Sequence, residues 1–391
     1  MQKGSENQAT SDESAALHEL IRREIESRGP ITFARFMELA LYHPDHGYYE
    51  RALDQIGRRG DYYTSVSVGS VFGKLLAVDF SARLEKLNSA GFDLVECGAH
   101  DGTLAADILT ATKTARPDLY AKLRYVIIEP SPKRKAAQRM NVSEHLDRVS
   151  WCQAIDELGN GSVHGVVFAN ELLDSFPLHR LRWSRQQRQW HEDGVGLDGG
   201  RFVWVDMGGF GGTPRTGGPD EAAEADSDWR AICATAQALA EVLPDGFRLD
   251  YCPGAARWWR KAATALAKGA LITIDYGLTR EELFSPHRQN GTARAYCRHT
   301  VDDELLEMPG EKDLTAHVDF SALIEAGEAQ GLVTERMVDQ ATYIMRILQH
   351  SGELLNSALA LTQRDRAALL TLAHPSGLGR AFRVLSQVHG G

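Results

Sequence analysis

The stretch FDLVECGAHDGTLAADIL, residues 92–109, constrains the fold more than any other part of the chain. It opens as a short apolar run and meets an acid at Glu96. It then turns through Gly98, Ala99, His100, Asp101 and Gly102 and resumes with Leu104, Ala105, Ile108 and Leu109 at helical spacing. That is the pattern of a strand, a tight glycine loop and a helix. The glycines permit backbone angles and close approaches that a β-carbon blocks, and the first turn of a helix leaves N–H groups aimed at the loop. A small ligand can press against the main chain there. Dinucleotides, nucleoside triphosphates and S-adenosylmethionine all use such loops. No Gly-Lys-Ser/Thr follows, which removes the phosphate loop, and the glycines fall as G-x-x-x-G rather than G-x-G-x-x-G, which removes the dinucleotide fingerprint. A loop headed by Glu96 with no nearby cation suits a cationic ligand without phosphate, and the adenosyl sulfonium with its amino acid end fits. An ordinary glycine turn of an α/β protein is the alternative that this stretch alone leaves open.

Acids at the ends of later apolar runs extend the pattern. The run at 123–128 ends in Glu129, where a carboxylate can accept hydrogen bonds from both ribose hydroxyls of an adenosyl group. A third strand at 148–152 leads to Asp156, which can reach an adenine amino group or simply start a helix. A fourth, 163–169, runs into Asn170, Glu171, Leu172, Leu173 and Asp174, and a fifth, 270–274, ends at Asp275. In open α/β sheets ligands bind at the carboxyl ends of strands near the switch point, which puts Asn170, Glu171 and Asp174 beside the first loop. Helix capping by Asn170 and Asp174 is their bland alternative.

The 391 residues are enough for one large domain with an insertion or for two domains. A formal net charge of -10 argues against a nucleic-acid scaffold, which needs a basic surface. No apolar run approaches membrane-spanning length, so no membrane partner is expected. Five scattered cysteines, odd in number and without a C-x-x-C pair, indicate neither a disulfide framework nor a zinc site and suggest a reducing cytoplasm. His299, Asp313, His317 and Asp319 carry ligand-type side chains without tight metal spacing, so capping and solvation are the better reading and no metal is expected. Nothing in the sequence sets the oligomeric state.

Read along the chain, residues 1–75 form an N-terminal helical cap or lid, with 1–13 disordered, a helix over 14–27 and Thr32 capping another. Residues 76–183 give the first part of the main domain. Residues 184–264 give a smaller inserted subdomain with antiparallel pieces and an acidic mobile loop at 208–228. The remainder, 265–391, completes the main domain and ends in helices, one of them running from Gln340 to about residue 372.

With these residues assembled, the chain resembles the MidA family of class I S-adenosylmethionine-dependent methyltransferases, related to the mitochondrial complex I assembly factor that methylates an arginine. The likeness covers roughly residues 21–385 and rests on ITFARFMELALYHPDHGYY, GDYYTSVSVGSVFG, ECGAHDGTLAADIL, ANELLDSFP, TIDYG, GTARAYCRH and PGEKDLTAHVDF in one order. The resemblance implies a Rossmann-like, seven-stranded class I methyltransferase sheet and a protein substrate methylated on an arginine. It also implies cofactor contacts at Gly60, Asp61, Glu96, Gly98, Ala99, Gly102 and Glu129, and a catalytic neighbourhood at Asn170 and Glu171, to which Asp174 is joined as a second carboxylate. Two departures stand out. His100 occupies the middle glycine of the family's G-A-G-x-G, and Thr64-Ser65-Val66-Ser67-Val68-Gly69 replaces T-A-P-E-I-S, losing its proline and its acid.

Overall fold

The apolar runs become strands. The computed structural model describes residues 2–51, 64–87, 89–212, 219–297, 300–357 and 361–389. Its main sheet contains β1 (Phe92–Cys97), β2 (Leu123–Ile128), β3 (Val149–Cys152), β4 (Val163–Asn170), β5 (Leu266–Leu278), β6 (Leu332–Asp339) and β7 (Phe382–His389). They lie in the order β3-β2-β1-β4-β5-β7-β6. From β3 to β5 every pair is parallel, and β7 runs antiparallel to both neighbours. All six residues of β1 are buried, as expected for a strand covered on both faces. The sheet has eight strands rather than the expected seven, because a two-residue strand, Val318–Asp319, joins it off this path. Two residues are too few to show any hydrophobic period.

The chain folds into two compact units. One holds 53–174, 258–277 and 323–391, and the other holds 1–52, 175–257 and 278–322. This differs from the linear division at 75, 183 and 264. The N-terminal segment shares a unit with the insertion because Ile31 and Thr32 pair antiparallel with Val195 and Gly194 of the inserted strand Gln189–Asp198. Such a long-range pairing leaves no trace in local sequence.

In the first of these units, helices Val71–Lys86 and Thr103–Ala115 cover one sheet face. There Phe72, Leu76, Phe80, Leu104 and Ile108 join Leu94, Tyr125, Phe168 and Ile272 in one apolar cluster. The other unit has a five-stranded antiparallel sheet, including His179–Ser184, Arg201–Gly209 and Arg248–Tyr251, over a cluster of Trp183, Trp190, Trp229, Phe247 and Phe284. Thr32 caps helix Phe33–Tyr42 by accepting from the Arg35 N–H, as its sequence position predicts. Asp319 accepts from the Ala322 N–H, and Asp313 accepts from the Tyr49 hydroxyl at 2.7 Å.

Three local expectations change. A single helix spans Gln2–Arg28, where disorder is expected to about residue 13. Of the loop expected over 208–228, residues 213–218 lie outside the described residues, and a helix begins at Pro219. The C-terminal helical stretch divides into Gln340–Ser357 and Gln363–Ala373.

Candidate cofactor and active site

Register brings the site together. Cys97 lies opposite Ile128 of β2 and Ala169 of β4, Ile128 lies opposite Cys152 of β3, and Asn170 lies opposite Ile274 of β5. The carboxyl ends of these strands therefore bring together at one edge the Gly98 loop, Glu129, Asn170 with Glu171, and Asp275, which lies near the end of β5. Strand order reverses between β1 and β4, so this edge is the switch point at which open α/β sheets bind ligands.

The glycine loop has left-handed backbone angles at Gly98 (φ +76°), His100 (φ +47°) and Gly102 (φ +86°). At Gly102 a β-carbon would lie 3.0 Å from the Gln138 Cα, so glycine is required there on two counts. His100 adopts its angle with a side chain because histidine is among the residues that tolerate the left-handed region. The substituted position keeps the turn that a glycine would make. The Asp101 carboxylate accepts from the Thr103 N–H and hydroxyl, both at 2.9 Å, which starts the following helix.

Glu96 is buried inside β1 and accepts from the Tyr125 hydroxyl at 2.7 Å. Burial pushes its carboxyl up to about 8, against the pull of that hydrogen bond. Glu129 stands at the end of β2, where its carboxylate accepts from the Ser131 N–H at 2.9 Å and the Gln138 side-chain amide at 2.8 Å. Gln138 is fully buried in helix Pro132–Asn141, donates also to the His100 carbonyl, and accepts from the Trp151 indole. No local signal marked Gln138, which sits among the charged residues of a strongly polar helix.

At the end of β4, Asn170 donates to Glu171 Oε1 at 3.1 Å, and the Ser65 N–H donates to the same oxygen at 3.0 Å. Glu171 is held at φ +52°, a left-handed angle that costs a non-glycine residue about 1–2 kcal/mol. The loop is pinned from β5: the Glu171 N–H donates to the Ile274 carbonyl, and the N–H groups of Leu172 and Leu173 donate to Asp275 Oδ2 at 3.2 and 2.8 Å. Asp275 is fully buried, and burial pushes its carboxyl up to about 7 against the pull of these N–H groups. Its position after a buried strand was the available signal for it. Asp174 is also buried in this loop.

Of the residues expected at the site, Glu96, Gly98, Ala99, Gly102, Glu129, Asn170, Glu171 and Asp174 gather at or just below one edge of the sheet. Asp156 instead forms an exposed ion pair with Lys261 at 2.7 Å, at the start of a short 3-10 turn, which is the helix-start alternative for it. Gly60 and Asp61, and His299, lie outside the described residues. Among the described residues no group of three or more His, Cys, Asp or Glu side chains is arranged to hold a metal ion. The buried Asn170 Oδ1 has no hydrogen-bond partner among the described residues. Together with Glu129 and Glu171 it makes an acceptor-rich edge. Such a set fits a ligand that brings ribose hydroxyls, an ammonium and a sulfonium charge, and it disfavours phosphate.

Comparison with known proteins agrees with this chemistry. Residues 75–338 match the family described as "Putative S-adenosyl-L-methionine-dependent methyltransferase". A crystal structure from Burkholderia thailandensis, described as a "likely methyl transferase" bound to S-adenosyl-homocysteine, is 29% identical with a TM-score of 0.80. The match covers 97% of this chain and 94% of that one. The protein arginine methyltransferase NDUFAF7, mitochondrial, of Rattus norvegicus is 29% identical over 92% of this chain and 81% of its own length. The Drosophila melanogaster homolog is 26% identical over 96% of this chain and 85% of its own length. The chain thus belongs to this family of S-adenosyl-L-methionine-dependent methyltransferases, and its cofactor is S-adenosyl-L-methionine.

Proposed function

We propose that the protein transfers the methyl group to a guanidinium nitrogen of an arginine in a protein substrate. The observation that carries this reading is the Glu171 carboxylate, fixed at the end of β4 by the Ser65 and Asn170 N–H donors, with Asp174 in the same loop. A planar guanidinium is recognised by carboxylates that engage its fork of N–H donors. The names of the relatives support arginine as the target. When bound, the cofactor supplies an electrophilic methyl carbon, and transfer to nitrogen leaves S-adenosylhomocysteine and one proton to be removed.

The residues of the chain do the positioning. Glu129, oriented by Ser131 and Gln138, is assigned the ribose hydroxyls. Glu171 and Asp174 are assigned the guanidinium, drawing its charge away from the nitrogen that reacts. Asn170 orients Glu171 through its side-chain N–H and offers its Oδ1 to whatever enters. Orientation of this kind supplies up to roughly 7–11 kcal/mol of a barrier between two reactants. The five-cysteine pattern keeps a reducing compartment as part of the proposal.

The test is to incubate the protein with methyl-tritiated S-adenosylmethionine and a cell extract, and to hydrolyse the labelled protein to amino acids. Label in methylarginine is the expected result, and Glu171→Gln is expected to lower it sharply, leaving a measurable residual rate, while the calorimetric Kd for the cofactor stays within about threefold. Label in small solutes instead of protein would sink the proposal.

A further inference from the structure

We propose that Gln340, acting through Ser65, is a positioning residue that holds the Glu171 carboxylate in its working orientation. The inference rests on the reading of Glu171 given above and adds the machinery that orients it. Gln340 opens the helix Gln340–Ser357 and is fully buried, as is Ser65. Its Nε2 donates to the Leu372 carbonyl at 3.1 Å, in the last turn of helix Gln363–Ala373. A carbonyl only accepts, so the amide nitrogen must face Leu372 and Oε1 must face Ser65. The Ser65 hydroxyl therefore donates to Gln340 Oε1, at 3.0 Å. With its side chain tied down in this way, Ser65 points its backbone N–H at Glu171 Oε1.

The segment carrying Ser65 is stiffened on its own account. The Thr64 N–H donates to Ser67 Oγ at 3.0 Å, and the Ser67 N–H donates to Thr64 Oγ1 at 2.9 Å. This reciprocal pair occupies the place where the resembled family has its proline and acid, so two hydroxyls supply the rigidity that a proline ring would otherwise give. Gln340 then adds direction. Three distant parts of the chain, near 65, 171 and 340, are joined in a relay that runs from Gln340 through Ser65 to one carboxylate oxygen, whose own residue is held at a left-handed angle. A left-handed glutamate persists only where its surroundings over-determine it, and this relay is one of those surroundings.

Four variants test the relay: Ser65→Ala, Ser65→Thr, Gln340→Met and Glu171→Gln, alone and with the first and third combined with the last. Methyl transfer from tritiated cofactor into extract protein is measured at saturating cofactor, with the calorimetric Kd alongside. Ser65→Ala and Gln340→Met are expected to lower the rate by roughly tenfold or more, with the Kd changed less than about threefold, and Ser65→Thr, which keeps the hydroxyl, to restore it. In the Glu171→Gln background neither change is expected to lower the residual rate further, because both act through that carboxylate. Crystals of Gln340→Met are expected to show Glu171 released from the Ser65 N–H.

A cofactor Kd that weakens in step with the rate, losses that multiply in the Glu171→Gln background, or an unmoved Glu171 in those crystals would each overturn the relay. If Glu171→Gln sharply lowers transfer while Ser65→Ala and Gln340→Met leave it intact, the relay alone falls. If Glu171→Gln leaves transfer intact, the role of Glu171 falls and the relay with it.

Discussion

The side-chain nitrogen of Gln138 donates both to Glu129, at 2.8 Å, and to the His100 carbonyl, at 2.9 Å. One buried amide thus joins the acid that ends β2 to the loop that follows β1. Replacing it by methionine keeps the volume and takes a hydrogen bond from three partners: the buried Glu129, the His100 carbonyl and the half-buried Trp151 indole. Gln138→Met is expected to destabilise the protein by about 2–4 kcal/mol in urea unfolding, and to weaken cofactor binding by roughly tenfold in calorimetry. Unchanged affinity would show that the orientation of Glu129 does not depend on this amide.

Glu96 makes a pH prediction. Its folded-state carboxyl is pushed up from 4.5 to about 8 by burial, so between those values the unfolded chain loses a proton that the folded protein keeps. Its contribution is fully present below about pH 4.5 and is lost as pH rises towards 8. Glu96→Gln removes the titration. Relative to wild type, the variant is expected to gain on the order of 3 kcal/mol of stability between pH 5 and pH 8, at 1.36 kcal/mol per pKa unit. Parallel stability curves for the two proteins across that range would exclude a neutral Glu96.

Two of the three left-handed positions of the loop are expected to respond differently. His100 already has the angle that glycine would adopt, so His100→Gly is expected to leave the cofactor Kd within about threefold and stability within about 1 kcal/mol. Gly102→Ala places a methyl 3.0 Å from Gln138 Cα at φ +86° and is expected to cost more than about 2 kcal/mol. Thermal unfolding and calorimetry of the pair decide the matter. A large gain in affinity from His100→Gly would mean that the imidazole obstructs the site.

Asp275 anchors the loop that presents Glu171. Asparagine keeps the shape but turns one acceptor into a donor facing either the Leu172 and Leu173 N–H groups or that of Tyr276. Asp275→Asn is expected to raise amide hydrogen exchange at 172 and 173 and to slow methyl transfer by roughly tenfold or more, while cofactor affinity changes little. Exchange rates identical to wild type would show that the carboxylate is not what holds the loop.

Glu96, Gly98, Glu129 and Glu171 were legible in the sequence because each stands at or just after the end of an apolar run, and Gly102 because it closes the glycine turn before a helix; parallel strands of similar length deliver their ends to one edge of a sheet. Asp156 was read in the same way, yet its carboxylate pairs with Lys261 on the surface. A strand-end acid has more than one fate, and local pattern does not choose among them.

The sequence by itself determined the alternation of strand and helix, the turn between β1 and its helix, and the family, since all of these rest on local periodicity and on long strings of residues in order. Only the tertiary structure decided that the N-terminal segment and the insertion share one unit through the Ile31–Val195 pairing. Only it brought Gln138 against Glu129, Asp275 against the loop that carries Glu171, and Gln340 against Ser65, whose N–H meets Glu171. The physical reason is that a hydrogen bond between residues 106 or 275 positions apart, such as Ser65 with Glu171 or with Gln340, depends on where the backbone has been carried by packing. A buried amide or hydroxyl looks in sequence like any polar side chain until its partners surround it.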